Sequence, residues 1–231
     1  MGLLNGAIPF SLFAVALIHL NASFESILNA TAAFFTALVA AVWLKERFTL
    51  RKALGIGLGI LGVAVLVGWN PVPFNLTTAL AVVATLGATL SYGLAAVYAK
   101  THAFGISSFD WAVGQQLGAS IWLLPFSLFT LPAAKAPSLG VIGAVLGVAL
   151  MCTAAAYLLY FALIQNIGPT RALSVTLLIP AFGIAWGALF LGEPISLNML
   201  VGLVIILMGM VLVLQLPLPK WLPPAPKSGA N

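Results

Sequence analysis

Phe182-Gly-Ile-Ala-Trp-Gly-Ala-Leu-Phe-Leu-Gly-Glu193-Pro-Ile-Ser-Leu197 decides the fold, because the chain carries an earlier version of it: Phe35-Thr-Ala-Leu-Val-Ala-Ala-Val-Trp-Leu-Lys-Glu46-Arg-Phe-Thr-Leu50. The match extends from Arg171–Leu214 over Phe24–Val67 at a constant shift of 147 residues, the separation of Glu193 from Glu46. Gly202 falls on Gly55 and Gly209 on Gly62. Each copy is an apolar run, a short polar loop with one glutamate, and a second apolar run whose glycines stand two helical turns apart. A shift of this length is too long for a solenoid repeat, so the repeating unit is half a protein.

Composition fixes the solvent. Of the 231 residues, 62% are hydrophobic and 6% charged, and the mean hydropathy is +1.17. A water-soluble domain carries about a quarter charged residues. The chain is therefore read as an integral membrane protein, and apolar runs of about 20 residues make it helical, since a helix satisfies its own backbone in lipid. A net charge of +5 invites a nucleic-acid partner, but cytoplasmic loops of membrane proteins collect basic residues and account for it; none is expected. The single cysteine, Cys152, excludes an internal disulfide framework. Met1 is followed directly by apolar residues, so no cleavable signal is read.

Polar, glycine and proline clusters divide the chain into eight expected spans at 3–20, 25–44, 51–69, 75–99, 109–131, 138–165, 171–191 and 197–216. The fold class is all-α, a polytopic membrane bundle. Residues 217–231 are too rich in proline for a helix and read as a tail. Alternating loops put Lys45, Arg47, Arg51, Lys52, Lys100, Arg171, Lys220 and Lys227 on one side and only Lys135 on the other. Both termini are accordingly expected in the cytoplasm.

Repeat and topology combine. The shift leads from the second span to the seventh, and five helices reverse the direction of crossing, so the two halves are inverted. A complete five-helix second unit then occupies 75–216, while 1–70 holds only the last three helices of the first. A piece of a longer chain would account for the missing pair. So would a shortened form working as a homodimer or with a partner subunit.

Tyr157-Leu-Leu-Tyr-Phe-Ala-Leu-Ile-Gln-Asn-Ile-Gly-Pro-Thr-Arg-Ala172, Leu178-Ile-Pro-Ala-Phe182, Leu191-Gly-Glu-Pro194 and Gly202 with Gly209 resemble the EamA family of the drug/metabolite transporter superfamily. Ala16-Leu-Ile18, Leu44-Lys-Glu-Arg47 and Gly55 with Gly62 echo it in the first half. The resemblance implies two inverted five-helix units, both termini cytoplasmic, a plasma (inner) membrane location and transport of small organic metabolites such as amino acids. Three departures stand out: Lys45 in place of a glycine, Ala33 in place of a proline matching Pro180, and the absent first two helices.

Candidate substrate-binding residues are the polar groups deep in spans. Thr176, Pro180, Gly183 and Gly187 share one face of the seventh span, and Asn29, Ala33, Thr36 and Ala40 make the matching stripe on the second. Such a stripe lines a cavity or merely lets helices approach closely. Pro180 cannot donate to the carbonyl of Thr176, so a kink is expected there. Asn5, Tyr92, Gln115, Thr153, Tyr157 and Trp186 complete the substrate-binding set. Glu46 and Glu193 read as caps or local backbone acceptors, with a gate as the alternative. No metal set, cofactor motif or nucleophile with a base is found in the spans. The leading expectation is a secondary transporter or exporter working by alternating access, its partners the lipid bilayer and a small-molecule substrate. A half-transporter inactive alone is the alternative, and an intramembrane enzyme has the fewest residues behind it.

Overall fold

The structure is a computed structural model that describes residues 1–68, 75–102, 106–130, 136–156, 159 and 178–214. Among the described residues all regular structure is helical. We label the helices α1 (Leu3–Ala16), α2 (Ala22–Asn29), α3 (Ala32–Trp43), α4 (Leu50–Gly68), α5 (Leu76–His102), α6 (Ser108–Thr130), α7 (Leu139–Ala155), α8 (Ile179–Leu191) and α9 (Leu197–Leu214). With α2 and α3 taken as one broken rod, these are the eight expected spans. Three of them, Ala22–Trp43, α5 and α9, are long and apolar enough to cross a membrane on length and composition alone.

Helix starts are set by short polar side chains that accept a first-turn amide. Asn21 accepts from Phe24 (2.8 Å), Thr49 from Lys52 (3.3 Å), Asn75 from Thr78 (2.8 Å), Ser138 from Val141 (3.3 Å) and Ser196 from Met199 (3.2 Å). Ser107 and Asp110 close a reciprocal cap on α6: the Asp110 amide donates to Ser107 Oγ at 3.0 Å, and that hydroxyl donates to the Asp110 carboxylate at 2.7 Å. Asn21 and Asn75, each at the head of an Asn-X-Ser/Thr triplet, thus use their amide oxygens as caps.

The buried core joins α2, α3, α4 and α9 through Phe24, Ile27, Leu28, Phe34, Leu66, Ile206 and Met210. α5 lies against α1 and α3, α8 against α2, and α6 against the start of α1. The outer faces of α6 and α7 expose Phe126, Phe129, Leu139 and Met151, as a surface solvated by lipid does.

The seam between α4 and α9 is close-packed through glycines on both helices. A Cβ added at Gly55 would lie 2.7 Å from the Gly209 carbonyl, and one at Gly209 would lie 2.6 Å from the Gly55 carbonyl. Likewise Gly62 faces the carbonyl of Gly202 at 3.1 Å and Gly202 faces that of Gly62 at 3.2 Å. α4 and α9 are the helices superposed by the 147-residue shift, and pairing the first glycine of one with the last of the other requires them to run antiparallel. The contact is reciprocal, as at a two-fold axis.

The rod Ala22–Trp43 breaks where no sequence signal announced it. Thr31 and Phe34 donate to carbonyls three residues back, Leu28 and Thr31, both at 2.9 Å, which tightens the chain into a 3₁₀-like turn. The buried Thr31 hydroxyl donates to the Leu28 carbonyl at 2.7 Å and reaches Thr89 of α5 at 3.1 Å. Pro180 lies in the first turn of α8, where a missing N–H costs least; Thr176, its expected kink partner, lies outside the described residues.

Candidate substrate cavity

Both copies of the loop motif end a helix in the same way. Gly192 has φ +65° and Lys45 has φ +52°, each closing its helix in the left-handed region. The next amide turns back, Glu193 to the Gly187 carbonyl at 3.1 Å and Glu46 to the Ala40 carbonyl at 3.5 Å, and residues 187 and 40 are themselves related by the repeat. A non-glycine residue pays steric strain in this region. We therefore expect Lys45→Gly to raise stability by about 0.5–1 kcal/mol, visible as a higher thermal midpoint in detergent; a lower one would contradict the assigned turn.

Beyond the backbone the two glutamates part. Glu193 reaches across to the first half, accepting from the amides of Ala22 (2.8 Å) and Ser23 (2.9 Å) and from the Ser23 hydroxyl. It caps a helix, as read from sequence, but one 170 residues away rather than the following one. Burial raises the Glu193 carboxyl, yet the Ser23 hydroxyl and the two amides outweigh it and hold its pKa below the ordinary range. Glu46 instead accepts from Lys100 at 2.7 Å and Lys52 at 3.2 Å. Those two ammonium groups, Lys100 first, hold its pKa below the ordinary range.

A cavity of about 710 Å³ runs inward from this ion cluster. Glu46, Lys52, Lys100 and Leu44 stand at one end; Ala33, Thr36, Ala37 and Ala40 of α3 form a wall of small side chains; Asn29 and Tyr92 add polar atoms, and Met210 and Val213 of α9 close the far wall. The Asn29 Oδ1 atom is buried and has no hydrogen-bond partner among the described residues. An unsatisfied buried acceptor costs about 1–3 kcal/mol.

Of the residues singled out in the sequence, Asn29, Thr36 and Tyr92 line this cavity. Asn5 and Gln115 are joined elsewhere: Asn5 Nδ2 donates to Gln115 Oε1 at 2.8 Å, clasping α1 to α6. Trp186 is 50% exposed between Phe182 and Phe190 on the outer face of α8. Pro180 is buried, and Thr153 sits half-buried on α7, outside the lining. Tyr157 and Thr176 lie outside the described residues. Sequence reading missed Lys52, Lys100 and Glu46 as lining groups; the available signal was a lone carboxylate in a loop with four basic neighbours.

The EamA-like transporter family matches residues 1–68 and 79–215. The chain belongs to that family. Among curated relatives of this EamA-like protein, the uncharacterized transporter YvbV of Bacillus subtilis (strain 168) is 28% identical over 91% of this chain and 69% of its own length. An uncharacterized transporter of Archaeoglobus fulgidus is 25% identical over 86% and 70%, and YoaV of Bacillus subtilis, also an uncharacterized transporter, 22% over 90% and 72%. An EamA-like chain with apolar helices is an integral membrane protein of the transporter class.

Proposed function

We propose that this EamA-like chain is a secondary transporter of small organic metabolites, amino acids or related compounds, working by alternating access between two inverted halves. Residues 1–70 contribute three helices of the first half, 75–216 the five of the second, and 217–231 a cytoplasmic tail. The eight-to-one distribution of basic loop residues supports a plasma (inner) membrane protein with both termini in the cytoplasm, so the Glu46 end of the cavity faces the cytoplasm. The observation that carries the reading is the cavity itself: mid-bundle, mostly apolar, with an orphaned amide oxygen and a charged mouth.

Reconstituted vesicles loaded with a panel of labelled amino acids test it. Wild-type protein should release one or more of them faster than empty vesicles, and Asn29→Leu should cut that rate by about tenfold or more, as loss of a buried ligand hydrogen bond does. Equal release by wild type and Asn29→Leu would remove Asn29 from the site. A second reading, a chain that transports only with a further segment or a second subunit, is favoured by its spanning about 70% of the relatives' length. It predicts no release by this chain alone and recovery when a full-length relative's first two helices are co-reconstituted.

A further inference from the structure

Equivalent faces of the two halves are in different states. On α3, Ala33, Thr36, Ala37 and Ala40 face the cavity. Their repeat partners on α8, Pro180, Gly183, Ile184 and Gly187, are packed against α2 instead. A Cβ at Gly183 would collide with the Ser26 side chain, and one at Gly187 would collide with Ser23 Oγ and lie 2.5 Å from Glu193 Oε2. Ser23 and Ser26 are 1% and 8% exposed, so the contact is sealed. Among the described residues, the cavity reaches Glu46, whereas the face of α8 beside Glu193 is packed against α2.

We propose that Glu193 is a gating residue, a latch that holds the cavity closed on its own side of the membrane. The proposal rests on the transport reading but names a part of the machinery that reading leaves blank. The carboxylate sits on the second half and all three of its donors sit on α2 of the first, so its bonds form only when the two walls meet. Each donor has its substitute when the walls part, because Ala22, Ser23 and the carboxylate all lie at the end of the bundle, within reach of water. The latch therefore opposes opening without forbidding it, as a gate must. Glu46, on an identical turn, bonds no helix-start amide; it accepts from the ammonium groups of Lys52 in its own half and Lys100 on α5 of the other, and it lines the cavity.

The test is side-specific thiol labelling. In a Cys152→Ser background, Ala33→Cys puts one reporter on the cavity wall, and a membrane-impermeant maleimide is applied to oriented vesicles from either side. With Glu193 present, labelling should proceed from the Glu46 side and be slow from the Glu193 side. Glu193→Gln should raise the rate from the Glu193 side at least tenfold, and Gly187→Ala, which pushes Ser23 and the carboxylate apart without touching charge, should do the same. Glu46→Gln should not. A residue that only caps α2 would lower thermal stability and leave the ratio of the two labelling rates unchanged; that result in both variants, with labelling from the Glu46 side intact, would overturn the latch. Switched labelling without amino-acid release would leave the latch standing and reject the substrate reading, whereas release with an unswitched ratio would do the reverse.

Discussion

Gly209→Leu should collapse the bundle. A single added carbon at this position already stands 2.6 Å from the Gly55 carbonyl and 3.1 Å from the Gly59 amide, and these are backbone atoms that cannot swing aside. A leucine would separate α4 from α9 and strip contacts from Leu66, Ile206 and Met210, each 2% exposed or less. Lipid supplies no hydrophobic drive to reclose the gap, so close packing is most of what holds this pair together. We expect a loss of about 3 kcal/mol or more, on the order of 10 °C in thermal midpoint. Gly57→Leu on the same helix is the control, since nothing lies within 4 Å of a Cβ there, and it should be nearly silent. Equal tolerance of both would mean that α4 and α9 do not meet at these glycines.

Glu46→Gln should be the most damaging loss of a charge. It leaves the Lys52 ammonium, on a side chain only 13% exposed, without its carboxylate and removes the shorter bond to Lys100. Charge-assisted bonds contribute about 1.5–3 kcal/mol each when shielded, but Lys100 is 65% exposed and solvent discounts its share. A net cost of about 1–2 kcal/mol near neutral pH follows. The pH dependence carries the signature. Because the folded carboxyl titrates below the ordinary value, its contribution is fully present above about pH 4.3 and fades as pH falls through the lowered folded value. Wild type should therefore lose stability on acidification below about pH 4.3, and Glu46→Gln should lose less across the same interval. The remaining slope belongs to Glu193, whose pKa is also depressed. Identical acid profiles for wild type and Glu46→Gln would show that the ion cluster does not form.

Much of the architecture was legible because lipid writes it in long, uninterrupted runs. The eight spans, the broken symmetry of basic residues and the paired glycines all leave marks that periodicity and a repeat search can find. What stayed hidden was long-range pairing and local compromise. Nothing in Ala30-Thr31 resembles a helix break, since neither residue forbids a helix; the interruption is sustained by a Thr31 hydroxyl that turns back on Leu28 and out to Thr89. The partner of Glu193 is 170 residues away and that of Glu46 includes Lys100, 54 residues on, distances at which local reading has no purchase. The small-residue stripe had two readings, and both occur: on α3 it borders the cavity, and on α8 it lets Ser23 and Ser26 of α2 approach. Asn5 and Gln115, each plausible alone as a ligand contact, satisfy one another. Lys45 is the clearest trace of the repeat acting against residue preference, holding φ +52° where its counterpart is a glycine.

The central claim is that two related halves cross the membrane in opposite directions, and the loops 45–52 and 192–198 that mark them therefore open on opposite sides. Single cysteines at Arg47 and Ser196, each in a Cys152→Ser background, can be labelled with a membrane-impermeant reagent in sealed, oriented vesicles. The account predicts that one reacts only from inside and the other only from outside. Reaction of both from the same side would contradict it.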